Sequence, residues 1–139
     1  MKVGSVAAFA ISSFLLGGPA FAGETAGSDT VQAVIGADGK QRAHIIGGSY
    51  FFRPKHIIVK VNVPVELSLR RETGIVPHTF VLKIPEAGVN IDEKLDTDEK
   101  VVSFTPTVAG TFDFYCRDRL LFFRSHRERG MEGTLEVVP

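Results

Sequence analysis

Four side chains in this sequence are of types that can bind a metal: His78 in "PHTF", Cys116 in "FYC", His126 in "FRSHRER" and Met131 in "GMEGTLEV". Cys116 is the only cysteine in the chain. A thiolate is a soft, strong ligand, an imidazole a borderline one and a thioether a weak one. One thiolate, two imidazoles and a weak thioether form the donor set that copper accepts in a trigonal site with a long axial bond. Zinc and iron sites of this size draw on more thiolates or carboxylates. Each residue also has a plain alternative: a small buried hydrophobe for Cys116, a core imidazole for His78, a solvated loop histidine for His126 and gap-filling for Met131. The combination points to a metal. His44 and His56 lie far upstream and read as structural or surface histidines.

These residues must be brought together by strands. In "HIIVKVN", Ile57, Val59 and Val61 alternate with Ile58, Lys60 and Asn62, and in "VELSLRR", Val65, Leu67 and Leu69 alternate with Glu66, Ser68 and Arg70. Period-two alternation marks a half-buried strand. "VQAVIG", "AHIIGGSYFF", "HTFVLKI", "KVVSFTP", "TFDFYC" and "GTLEVV" are further candidates. About eight short strands spaced near ten residues predict an all-β, antiparallel sandwich or barrel. The acidic connection "IDEKLDTDEK" predicts a loop with at most a short turn of helix. Residues two apart on a strand share a face. His78 therefore shares its face with Phe80, Leu82 and Ile84, Cys116 with Phe112 and Phe114, and Met131, past Gly133, with Leu135 and Val137. All three point inward from strand ends, where they can converge at one pole.

The first 22 residues combine an early lysine, an apolar run and the ending Ala20-Phe21-Ala22, which reads as an export signal. A polar linker over 23–30 and one domain over 31–139 follow. The product is expected to be exported, to the periplasm or beyond, and not to span a membrane, because no other apolar run approaches the roughly 20 residues of a membrane helix. An unpaired cysteine in an oxidising compartment must be buried, paired with another chain or bound to something. The mature chain carries fifteen basic against sixteen acidic residues, a balance that gives no reason to expect nucleic acid as a partner.

"PHTF", a later strand ending in Tyr-Cys, then a histidine, then "GMEGTLEV" resemble the cupredoxins, the small blue copper proteins. The resemblance runs from about "YFFRPKHIIVKVNVPVEL" to the C-terminus. It implies a Greek-key β-sandwich, one mononuclear copper held by His78, Cys116, His126 and Met131, and single-electron transfer between Cu(I) and Cu(II). The sequence departs from plastocyanin-like and azurin-like members in one respect. Nine residues, "RDRLLFFRS", separate Cys116 from His126, against far fewer in those proteins.

That segment brackets Leu120, Leu121, Phe122 and Phe123 with Arg117, Arg119, Arg124, Arg127 and Arg129. Four consecutive apolar residues either fold back as a flap over the metal or form an exposed docking patch for a redox protein, which an arginine rim would suit to an acidic partner. A monomer is expected. Rival functions are copper trafficking or buffering, an oxidoreductase subunit with an open copper position, and a metal-free interaction domain. A nucleophilic Cys-His enzyme lacks any context for an oriented base or an oxyanion pocket.

Overall fold

The structure, a computed structural model, describes residues 29–139. The expected export signal and residues 23–28 of the expected linker lie outside the described residues. Among the described residues eleven strands form two sheets. One sheet holds, in spatial order, β1 (Thr30–Gln32), β5 (His56–Lys60), β11 (Glu132–Val138), β10 (Gly110–Tyr115), β7 (Thr79–Ile84) and β8 (Val89–Lys94). The other holds β2 (Val34–Ile35), β3 (Gln41–Gly48), β6 (Val65–Arg71) and β9 (Lys100–Phe104), with β4 (Phe51–Arg53) paired to β3. Helix among the described residues is limited to two 3₁₀ turns, Pro85–Ala87 and Arg127–Arg129, and no helix there is long and apolar enough to cross a membrane.

The all-β expectation holds, with three corrections. There are eleven strands rather than about eight, because β2 and β4 are too short to show an alternation of their own. The pairing is mixed rather than antiparallel, since β5 runs parallel to β1 and β11, and β6 parallel to β3. Alternation reports which face of a strand is buried and carries no information on its direction. Finally, the acidic connection contains a strand: β8 pairs with β7 from Thr79↔Lys94 to Ile84↔Val89. Asp92 points outward from it to an ion pair with Arg117, while Glu93, on the face of Val89 and Ile91, is only partly exposed and reaches Lys100 at 3.8 Å.

The core lies between the sheets. Ile57, Val59, Leu67, Leu69, Phe80, Leu82, Phe114 and Leu135 are all essentially inaccessible, as the alternation predicted. At its centre Phe52, Phe80 and Phe114 pack with ring centroids 5.2–5.8 Å apart, two of the three pairs edge-to-face. Such contacts add to the hydrophobic gain of burying each ring. Phe80 follows His78 by two residues and Phe114 precedes Cys116 by two, so this aromatic cluster forms the floor beneath the pole that carries both.

Space for the Phe114 ring is provided by its cross-strand partner, Gly133. A Cβ at 133 would lie 2.3 Å from Phe114 Cζ and 2.6 Å from the Lys55 carbonyl oxygen, and the backbone atom cannot turn away. Gly133→Ala is therefore expected to lower unfolding stability by about 1–3 kcal/mol or more through overpacking, read as a fall in the denaturant midpoint. A wild-type midpoint would refute this packing.

Candidate metal centre

Strand pairing places the predicted ligands. β10 is antiparallel to β7 and to β11, so the start of β7, the end of β10 and the start of β11 share one edge of the sheet. His78 immediately precedes β7, Cys116 immediately follows β10, and Met131 immediately precedes β11. His126 enters from the loop between them. Its N–H donates to the Asp118 carbonyl at 2.9 Å, and its own carbonyl accepts the Met131 N–H at 3.0 Å. The Cys116 N–H in turn donates to the Met131 carbonyl at 3.0 Å. Gly130, at φ 100°, supplies the left-handed residue that ends the 3₁₀ turn and releases the chain into β11.

One ligand atom each from His78, Cys116 and His126 falls within 4.8 Å of the other two. The two Nδ1 atoms are 3.2 Å apart and Cys116 Sγ lies 3.5 Å from His126 Nδ1. All three residues are buried, as is Met131. The terminal methyl of Met131 lies toward Gly47, where a Cβ would approach it to 3.3 Å. His126 Nε2 is the one buried side-chain polar atom among the described residues with no hydrogen-bond partner. Buried imidazoles are normally satisfied. A soft sulfur and two imidazole nitrogens converging in one buried cluster suit a thiophilic transition metal such as copper.

Burial dominates the electrostatics of the site. It lowers the proton affinity of His78, helped by the neighbouring His126, and lowers that of His126, while Asp118 opposes both. Burial also pushes the Cys116 thiol up to about 11. Neutral imidazoles are the form that ligates. The thiol must lose its proton to do so.

Several further residues complete the site. The Thr79 N–H donates to Cys116 Sγ at 3.3 Å, and Thr79 Oγ1 donates to Asp118 Oδ2 at 2.7 Å. Cys116 Sγ–H donates to the same carboxylate oxygen at 3.4 Å. Tyr50, in the β3–β4 turn at φ 65°, sets its ring edge-on to His126 at 5.0 Å and to His78 at 6.5 Å. Arg129 lies over the Tyr50 ring at 3.8 Å, a cation–π contact that covers it. Thr79 and Asp118 are near-neighbours of ligands in the chain and were findable on that ground, whereas Tyr50 is brought in by tertiary folding alone. His44 and His56 lie elsewhere, paired with Glu99 at 3.6 Å and Glu136 at 2.8 Å.

The nine-residue segment is displayed rather than folded back. Leu121 and Phe122 are 75 % and 85 % exposed, Leu120 and Phe123 nearly half. A bridge from Arg119 to Ser125 and a turn bond from the Phe123 N–H to the Leu120 carbonyl at 3.0 Å close the loop, and the two phenylalanine rings stack at 4.8 Å. The buried-flap alternative is overturned by the exposure of all four apolar side chains.

The fold is the cupredoxin β-sandwich. No protein-family model and no curated relative matches the sequence. Among solved structures, the metal-binding domain of a Cu(I)-exporting P-type ATPase of Streptococcus pneumoniae, solved with Cu(I), superposes with a TM-score of 0.58 at 23 % identity, covering 79 % of this chain and 96 % of that one. Auracyanin A of Chloroflexus aurantiacus, a "blue" copper protein, gives 0.54 at 20 % identity over 72 % and 100 % of the two chains. The periplasmic domain of cytochrome oxidase subunit II of Bradyrhizobium japonicum gives 0.50 at 18 % identity over 70 % and 83 %.

The buried site makes the stability of the copper-free protein depend on pH at both ends. His78 and His126 stay neutral in the folded state while the unfolded chain takes up protons near the ordinary imidazole value, so stability falls as pH drops below about 6.5. The Cys116 thiol keeps its proton to about 11 when folded but loses it near 9 when unfolded, so stability falls again as pH rises through that interval. Urea unfolding of copper-free protein at pH 7.5, 5 and 10 is expected to show a loss of stability on each side, on the order of 1 kcal/mol at pH 10. Replacing both histidines by glutamine should flatten the acid limb attributable to them.

Proposed function

We propose that this chain is an exported electron carrier that holds one type 1 copper ion through His78, Cys116, His126 and Met131. The observation that carries the reading is the mutual approach of His78, Cys116 and His126 donor atoms in a buried pole. Copper, when bound there, supplies a one-electron Cu(I)/Cu(II) couple. The chain's own residues do the rest. His78 and His126 present neutral nitrogens, Cys116 presents a sulfur oriented by the Thr79 N–H, and Tyr50 with Arg129 keeps water from the imidazoles. The likeness to a protein described as a "blue" copper protein and to a domain solved with Cu(I) supports copper as the metal. Burial of all four proposed ligands favours electron transfer over an open catalytic position, and the N-terminal apolar segment supports export.

Adding Cu(II) to the purified protein should produce an intense thiolate-to-metal absorption band that Cys116→Ser abolishes and Met131→Leu retains at altered energy. A protein that stays colourless overturns the proposal. Rapid exchange of Cu(I) with a chelator, together with slow electron transfer, would replace it with copper trafficking, and a band shifted by azide would replace it with an open-site oxidoreductase.

The displayed Leu120–Phe123 tip, on the loop that joins two proposed ligands, is the proposed docking surface for an acidic redox protein. Its arginine rim is weaker than the sequence implied, since Arg117 pairs with Asp92, Arg119 with Glu128, and Arg127 with Asp113 and Glu132. Arg124 and Arg129 remain without a carboxylate partner among the described residues, so apolar contact is the larger part of the attraction. Phe122→Ser with Leu121→Ser should slow electron transfer to an acidic acceptor by about tenfold or more without changing the copper band. Gln at Arg119, Arg124 and Arg129 should slow it less and flatten its salt dependence. An unchanged rate and salt dependence in both variants would exclude this surface.

A further inference from the structure

The four proposed ligands leave one charged group at the site without a role. We propose that Asp118 is a positioning residue whose carboxylate, pinned by Thr79 beside the Cys116 sulfur, lowers the reduction potential of the copper site. The inference deepens the proposed function and rests on it.

Asp118 is in contact with the segments that carry His78, Cys116 and His126. Its Oδ2 accepts the Thr79 hydroxyl at 2.7 Å, which ties it to the start of β7 next to His78. The same oxygen lies 3.4 Å from Cys116 Sγ, and its backbone carbonyl accepts the His126 N–H at 2.9 Å. A hydroxyl bond to a carboxylate is among the stronger neutral-to-charged hydrogen bonds, and it fixes which way this carboxylate faces.

The charge is also left in place. Five arginines lie within the segment 117–129, yet among the described residues none forms an ion pair with Asp118. Arg117, the adjacent residue, reaches away to Asp92 at 2.9 Å instead. Asp118 itself is only partly exposed, so solvent screens it incompletely. An uncompensated negative charge beside a ligating sulfur favours the more positive oxidation state of the metal and disfavours its reduction. A residue that merely braced the loop would serve equally well as a neutral amide, because asparagine offers Thr79 the same acceptor.

That difference supplies the test. Asp118→Asn keeps an oxygen for Thr79 and removes the charge, while Thr79→Val keeps the charge and frees it to turn toward water. In copper-loaded protein, titration against redox mediators is expected to show Asp118→Asn shifted toward Cu(I) by about tenfold in the Cu(I)-to-Cu(II) affinity ratio, about 59 mV upward for one electron. Competition with Cu(I)- and Cu(II)-specific chelators should report the same shift as a larger loss of affinity for Cu(II) than for Cu(I), and the melting temperature of the copper-free variant should stay within a few degrees of the parent. Thr79→Val should move the potential in the same direction by less. An Asp118→Asn protein that takes copper with the parental band and an affinity ratio within twofold of the parent overturns the inference and leaves the copper reading standing. If Asp118→Asn does not fold, an unshifted potential in Thr79→Val overturns it. A parent protein that takes no copper removes both.

Discussion

Because β10 runs antiparallel to both β7 and β11, the residue before β7, the residue after β10 and the residue before β11 must lie along one edge of one sheet. Those residues are His78, Cys116 and Met131, separated by 38 and 15 positions along the chain. Hydrogen-bonded ladders hold that edge with Phe114 opposite both Leu82 and Gly133, a register in which slipping by one residue would turn every inward side chain outward. The hydrophobic core under the edge therefore also fixes the register of the site. The aromatic cluster of Phe52, Phe80 and Phe114 supports the candidate metal site as directly as the ladders do.

Holding these donors dry costs the copper-free protein stability. A thiol and two imidazoles are kept uncharged by burial, and one imidazole nitrogen has no partner. An unsatisfied buried polar group costs about 1–3 kcal/mol. The core and the ladders offset this cost, and ligand binding to the folded state would recover it by linkage. The hydrogen bonds from Thr79 to the sulfur and to Asp118 limit the freedom of the remaining parts.

The long loop between Cys116 and His126 separates two tasks. Its base returns His126 to the site through backbone bonds at Asp118 and Met131. Its tip, closed by the Arg119–Ser125 bridge, holds an apolar surface out in solvent. Most of the surrounding arginines are occupied with nearby carboxylates, so the loop is rigidified by its own charges as well as displayed by them.

Much of this architecture was legible from side-chain chemistry and period-two alternation. The inward faces of β5, β6, β7, β10 and β11 and the convergence of His78, Cys116 and His126 follow the sequence, because alternation reports burial directly and few residue types bind soft metals. Strand direction, the strand hidden in the acidic stretch and the fate of the Leu120–Phe123 tip were decided by tertiary pairing, which local pattern does not encode. Tyr50 and the Thr79–Asp118 tie belong to the same class. Their roles arise from distances across the fold, and a residue's identity says nothing of its neighbours in space until the chain has closed around them.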